Sequence, residues 1–172
     1  MLLLKLYFHI AAIIKLLILR LCYVICGGKL TIGKHFTFRK GFSLMLDSNA
    51  EVEIGDDVFF NNYCSLNAVE KIIIGDGTIF GENVKIYDHN HCFKDINIPI
   101  KKQGYKSAPI TIGKHCWIAS NVVILKGVTI GDNCVIGAGC IIYKDVPSKT
   151  IVKNKQCQEI QTFKHISSNL NH

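Results

Sequence analysis

From residue 112 onward an aliphatic side chain returns at every sixth position: Ile112, Ile118, Ile124, Ile130, Ile136 and Ile142. Four residues after each stands a small or β-branched one, namely Cys116, Val122, Val128, Cys134, Cys140 and Val146. A six-residue period fits neither the turn of an α-helix nor the two-residue alternation of a lone strand. It fits a short strand and a turn, repeated so that three units close one triangular coil of about 18 residues. Both apolar positions then point inward, and triplets such as Gly131-Asp132-Asn133 and Gly113-Lys114-His115 sit at the corners. The same phase runs through Ile54, Phe60 and Leu66, resumes after a two-residue slip at Ile74, Phe80 and Ile86, and is weaker through Ile32, Phe38 and Leu44. An all-β chain built as a parallel β-helix is therefore expected over residues 29–150.

Between Ile86 and Ile110 the phase disappears. The segment reads Y-D-H-N-H-C-F-K-D-I-N-I-P-I-K-K-Q-G-Y-K-S-A-P and carries two of the seven histidines. A patternless loop of this length inside a regular solenoid is commonly functional. Residues 87–109 are accordingly the expected active-site loop, protruding from the coil stack.

Composition narrows the partners. With 172 residues, 49% of them hydrophobic and 19% charged, the chain can bury one core and is not disordered. A formal net charge of +7 suits an anionic partner such as a phosphorylated cofactor or a membrane surface. Nucleic acid is not expected, because aromatic residues are not interleaved with the basic ones and no zinc-finger, KH or RNP signature is present. The eight cysteines include no C-x-x-C pair, so a structural zinc site has no support. Cys116, Cys134 and Cys140 occupy inward repeat positions, where a free thiol behaves as a small buried hydrophobe. Reduced, structural thiols in a cytoplasmic protein are the expectation.

Residues 1–28 form a unit of their own. Met1 to Cys26 is strongly apolar, but Lys5, Lys15 and Arg20 break it into runs too short to span a bilayer. On a helical wheel Lys5, His9, Lys15 and Arg20 fall within an arc of about 140°. The pattern is an amphipathic helix with a cationic face, suited to the membrane–water interface or to packing on the protein, and ended by Gly27-Gly28. No cleavable signal is recognised. Peripheral attachment at the inner face of the plasma membrane is the expected location if the helix binds lipid. Residues 151–172 read as a C-terminal tail.

The run S-A-P-I-T-I-G-K-H-C-W-I-A-S-N-V-V-I-L-K-G-V-T-I-G-D-N-C-V-I-G-A-G-C-I-I-Y-K-D-V-P, Ser107 to Pro147, resembles the hexapeptide-repeat acyltransferases. The likeness is to the sugar O-acetyltransferase branch, with its galactoside, maltose and xenobiotic acetyltransferases, and extends from about Thr31 to Pro147. The resemblance implies a left-handed winding, acetyl-CoA as co-substrate without a metal, and a homotrimer with its active sites between adjacent subunits. It also implies a sugar or glycan acceptor, as in cell-surface polysaccharide assembly. Aligning N-V-K-I-Y-D-H-N-H with the family's loop places the general base at His91, with His89 in reach of the same space. Histidine suits that task, because a sugar hydroxyl is a poor nucleophile near neutral pH and imidazole titrates there.

Position by position, the resemblance puts Asn61, Asp88 and His89 on the acceptor side, with Asp88 or Asp95 to orient the imidazole. Trp117 would line the pantetheine arm and the Ser120 N–H would face the oxyanion. Ala138, Tyr143 and Lys144 would hold the distal pantetheine and nucleotide. Cys92, beside His91, raises a rival acyl-thiol route. Past Pro147 the family's Gly-Val-Pro turn and arginine are missing, which puts the last coil in doubt and leaves Lys153 and Lys155 as nearby charges. Other readings are a γ-class carbonic anhydrase-like zinc enzyme using His89, His91 and His115, or a non-catalytic trimeric scaffold. A serine acetyltransferase fits less well, since that group carries a larger helical domain ahead of the repeats.

Overall fold

The computed structural model describes residues 27–155, together with Ile10, Ile14, Leu17 and Ile18, which are helical and solvent-exposed. The remainder of the expected N-terminal helix, and residues 156–172 of the expected tail, lie outside the described residues. No helix among the described residues is long and apolar enough to cross a membrane.

Three parallel sheets wrap one core. The first face is built from β1 (Lys29–Ile32), β4 (Glu51–Ile54), β7 (Lys71–Ile74), β12 (Ile110–Ile112) and β15 (Thr129–Ile130). The second holds β2 (Thr37–Phe38), β5 (Phe59–Phe60), β8 (Ile79–Phe80), β13 (Trp117–Ile118), β16 (Val135–Ile136) and β18 (Ile151–Val152). The third holds β3 (Ser43–Leu46), β6 (Ser65–Ala68), β9 (Lys85–Tyr87), β14 (Val123–Leu125) and β17 (Ile141–Ile142). Strands are short because each face gives the chain only a few residues before it must turn. Every repeat isoleucine from Ile112 to Ile142 is buried, and so is each small residue four positions later.

Register turns the sequence slip into geometry. Ile32 lies opposite Ile54, Ile54 opposite Ile74, Ile74 opposite Ile112 and Ile112 opposite Ile130, so successive coils advance by 22, 20, 38 and 18 residues. The early coils carry longer corners, and the long step contains the whole interruption. At the other end β18 pairs with β16, placing Ile151 and Val152 in the coil stack rather than in a tail. The last coil thus forms without the family's Gly-Val-Pro turn, held by Val135 N–H on Thr150 O (3.0 Å) and Gly137 N–H on Val152 O (2.8 Å).

The corner triplets work as a polar ladder. The Lys34 N–H donates to Asp56 Oδ1 (2.6 Å), the Asp56 N–H to Asp76 Oδ1 (3.0 Å), and the Lys114 N–H to Asp132 Oδ1 (2.7 Å). Such closeness excludes a side chain at the preceding residue: a Cβ on Gly113 would stand 2.4 Å from the Asp132 carboxylate and 2.7 Å from the Gly131 backbone. Two residues further on the backbone is left-handed at His35, Asp57, His115 and Asn133, residue types that tolerate this conformation better than most.

The buried thiols do more than fill space. Cys64, Cys116 and Cys134 donate to the carbonyls of Gly81, Gly131 and Pro147, each at 3.1 Å, and the Thr78 hydroxyl does the same to Gly113 O at 2.8 Å. Burial pushes the Cys64 and Cys116 thiols above their ordinary range, as fits inert structural groups. All five described cysteines are free.

On the first face Lys29 and Lys71 flank Glu51, and Lys71 Nζ also reaches Glu53 Oε1 at 3.0 Å. Hydrogen bonds from Lys29 and then Lys71 hold the Glu51 carboxyl at about 2 instead of 4.5. A depressed carboxylate contributes stability above its unfolded value and loses it as pH falls through the folded one. Resistance to unfolding is therefore expected to drop between about pH 4.5 and 2. In acid titrations of denaturant midpoints, Glu51→Gln should show a shallower drop than the wild type across that window; equal slopes would show that the Glu51 ion pairs do not contribute to stability.

Candidate functional site

The interruption at 87–109 is not patternless in three dimensions. β10 (His89–His91) pairs antiparallel with β11 (Tyr105–Ser107), His91 facing Tyr105 and His89 facing Ser107. The expected loop is therefore a two-stranded arm. Its strands are three residues long, too short for their alternation to be read from sequence. Its root is pinned by the Ala108 N–H on Asp88 O (2.8 Å) and the Gly127 N–H on Ala108 O (3.1 Å). Its outer turn closes around Gln103, whose Nε2 donates to Asp95 O (2.8 Å) and Ile98 O (2.7 Å). Gly104 follows at φ +77°, where the chain reverses into β11.

Three rings gather on one face of this arm. His89 and His91 are two residues apart on β10 and share a side. The Tyr105 ring sits 4.8 Å from His89, edge-on at 75°, and 4.7 Å from His91, tilted by 46°. His91 is exposed, while His89 keeps only 17% of its side chain accessible. His89 Nδ1 donates to Asp88 Oδ1 at 2.9 Å, leaving Nε2 as the free nitrogen of that ring.

Asp88 has another role than expected. It is completely buried, and its carboxylate accepts the N–H groups of Val69 (2.9 and 3.0 Å) and Glu70 (2.8 Å) at the corner between β6 and β7. A group so enclosed does not face an acceptor, and its imidazole partner is His89, not His91. Asp95 does not orient His91 either: its carboxylate caps the Asn97 N–H at 2.9 Å within the arm's turn. Cys92 ends the ribbon, half-buried, with its N–H on Gly104 O (3.0 Å).

The remaining expected residues fall in separate places. Asn61, partly buried after β5, accepts at Oδ1 from Arg39 Nη1 (3.3 Å) and from the Asn62 N–H (2.9 Å), so its amide oxygen is engaged at a coil corner. Trp117 points outward from β13, 52% exposed between Ile79 and Val135 of the adjacent strands. The Ser120 Oγ accepts the Glu82 N–H (3.1 Å), and among the described residues the Ser120 N–H has no acceptor. Gly81 packs directly on this corner, where a Cβ would lie 2.6 Å from the Ser120 nitrogen, the same close coil-on-coil approach as at Gly113. Ala138, Tyr143 and Lys144 are exposed, with Lys144 Nζ 5.7 Å over the Tyr143 ring. Tyr105 is the site residue that sequence reading missed; its only advance signal was an aromatic five residues before Ile110, where the repeat resumes.

His89, His91 and His115 do not assemble a zinc site. Among the described residues no three His, Cys, Asp or Glu side chains gather to hold a metal, and His115 is a left-handed corner residue whose Nδ1 would meet a Cβ on Gly77 at 2.5 Å.

The family model described as Bacterial transferase hexapeptide (six repeats) matches residues 109–144. The chain is 32% identical to a maltose O-acetyltransferase from Clostridium difficile 630, covering 78% of this chain and 70% of that one with a TM-score of 0.65. The chain belongs to the hexapeptide-repeat transferase family. It is 28% identical over 84% of its length to WbbJ of Escherichia coli (strain K12), whose name assigns it to O-acetyl transfer in lipopolysaccharide biosynthesis, and the match covers 77% of that protein. The hexapeptide-repeat acetyltransferase VCA0836 of Vibrio cholerae O1 biovar eltor, solved with acetyl-CoA, superposes with a TM-score of 0.61 at 28% identity, covering 73% of this chain and 64% of that one. Other curated relatives are longer than the match, the chain spanning 54% of one and 38% of another. The family segment 109–144 contains Trp117, Ser120, Ala138, Tyr143 and Lys144, all five residues expected on the acyl-donor side, and begins where the arm ends.

Proposed function

We propose that this hexapeptide-repeat transferase moves the acetyl group of acetyl-CoA to a sugar hydroxyl, with His91 as general base. The observation that carries the reading is an accessible imidazole on a pinned arm, emerging just before the coil that bears outward Trp117 and the unpaired Ser120 N–H. The acceptor O–H gives its proton to an imidazole nitrogen of His91 as its oxygen attacks the thioester carbon. Negative charge collects on the carbonyl oxygen, where the Ser120 N–H donates. The tetrahedral adduct then expels the CoA thiolate, which takes the proton back from the imidazolium, giving the O-acetyl ester and free CoA thiol. Lys144, Lys153 and Lys155 offer charge to the nucleotide phosphates.

One chain supplies one wall of such a site. Among the described residues no hydrogen bond or ring contact joins His91 to Trp117 or Ser120, and the arm leaves Phe93, Ile96, Ile98 and Ile100 exposed. Both features support a homotrimer in which one copy's arm meets the next copy's second face. The acceptor is read as a glycan of the cell surface, in keeping with the relatives named for maltose and lipopolysaccharide. The reading of a cytoplasmic enzyme held peripherally at the inner membrane face rests on the exposed helical Ile10, Ile14, Leu17 and Ile18 and on the Lys5, Lys15 and Arg20 that interrupt the apolar sequence of residues 1–26.

The test is CoA-thiol release from acetyl-CoA against free sugars, nucleotide sugars and lipid-linked glycans, the last presented in anionic vesicles. Turnover with one of these sugar classes, carried by protein that sediments with the vesicles, is the expected result. No acetyl transfer to any of them sinks the enzymatic reading; turnover by protein that stays in the supernatant sinks only the membrane location.

A further inference from the structure

We infer that Tyr105 is a positioning residue for the base: its ring braces the His91 imidazole and is itself braced by His89, which buried Asp88 anchors to the coil stack. The inference rests on His91 being the base.

His91 stands at the exposed end of this chain of contacts. Among the described residues its imidazole makes no hydrogen bond, so no carboxylate or carbonyl sets its χ angles. What touches it is the Tyr105 ring, 4.7 Å away and directly opposite across the ribbon, the closest kind of cross-strand pair. Tyr105 is half exposed and would itself be loose on a three-residue strand. Its second neighbour removes that freedom: His89 packs edge-on against it at 4.8 Å from the diagonal position. His89 in turn is tied by Nδ1 to Asp88, and Asp88 by two backbone N–H groups to the β6–β7 corner.

The chain of contacts therefore runs from a rigid coil corner, through a carboxylate and an imidazole, to an aromatic ring and the base. It explains why the arm spends a buried aspartate on the histidine that does not take the proton. The links are a tilted ring contact, an edge-on ring contact and hydrogen bonds, and the phenol oxygen is in none of them. The ring, not the hydroxyl, carries the effect.

The experiment compares Tyr105→Phe, Tyr105→Leu and Tyr105→Ala in two readouts. In the protein without substrates, the His91 Cε1–H proton resonance, assigned by its loss in His91→Ala, reports the neighbouring ring current. It should move in Tyr105→Leu and Tyr105→Ala and stay in Tyr105→Phe. In turnover, the Leu and Ala variants should lose about tenfold in kcat with both KM values within about twofold, since misplacement of a reacting group acts on the chemical step. Phe should restore kcat, and equal unfolding midpoints will separate positioning from loss of the arm. An unmoved resonance in the Leu and Ala variants overturns the bracing. So does a kcat loss in Phe equal to that in Ala, or an effect confined to acceptor KM, which would make Tyr105 a substrate contact. Full turnover by His91→Ala would instead defeat the base assignment, a failure the resonance measurement does not share.

Discussion

His91→Ala is expected to lower kcat for acetyl transfer by about 10²- to 10⁴-fold, the range a positioned general base contributes. The KM for acetyl-CoA should stay within about twofold, because the lost interaction exists only as the proton moves. The expectation follows from exposure and partnership together. His89 and His91 lie on the same face of β10, but Asp88 occupies one nitrogen of His89 and the arm covers most of that ring. His91 keeps its ring in solvent, where a thioester held by another chain can come within reach. His89→Ala should therefore cost less in kcat than His91→Ala and more in stability, since it strands part of a buried carboxylate. Cys92→Ala should leave turnover intact, there being no acyl-thiol step to lose. Steady-state kinetics on the three variants decides the matter: His91→Ala with more than about a third of wild-type kcat, or His89→Ala as the more damaging change, would move or abolish the base.

The regular part of the molecule was legible because a solenoid repeats one local problem. Ile112 to Val146 solve it six residues at a time, and the side chains chosen at the inward positions are buried as the period requires. The N-terminal coils were harder to read because their corners are longer, so the register step of 20 or 22 residues blurs a period that persists on each face. The coil holding Ile151 and Val152 was missed for a different reason: it is stabilised by backbone hydrogen bonds to β16, which carry no side-chain signature.

The arm marks the limit of sequence reading. Loss of phase located it, and two histidines marked it as chemical. What periodicity could not supply was pairing: which residue lies across from His91 depends on the turn around Gln103 and Gly104, a matter of side-chain-to-backbone bonds within a dozen residues. Asp88 shows the same limit from the other side. A carboxylate beside a histidine in sequence invites a catalytic role, yet its two oxygens are claimed by corner amides from a coil about twenty positions earlier, in contacts that only the fold creates.

The largest stability effect is expected at Phe60, because the core changes character along its length. In the later coils the second face points Ile118 and Ile136 inward; in the early ones it stacks rings. Phe60 is wholly buried and lies parallel to Phe80 at 4.1 Å and 5°, with Phe42 at 5.0 Å and Phe36 at 6.1 Å around it. Removing it empties a space bounded by other rigid rings, which relax little into the void. Phe60→Ala is therefore expected to cost about 3–5 kcal/mol, the usual toll for a buried phenylalanine, and Phe60→Leu distinctly less. Since each coil contacts only its neighbours, the loss should appear first as loosening of the coils from β1 to β6, read as faster amide exchange there than around Ile118 and Ile136. An unfolding free energy within about 1 kcal/mol of wild type, or exchange that accelerates evenly along the stack, would show that the aromatic column does not hold the early coils together.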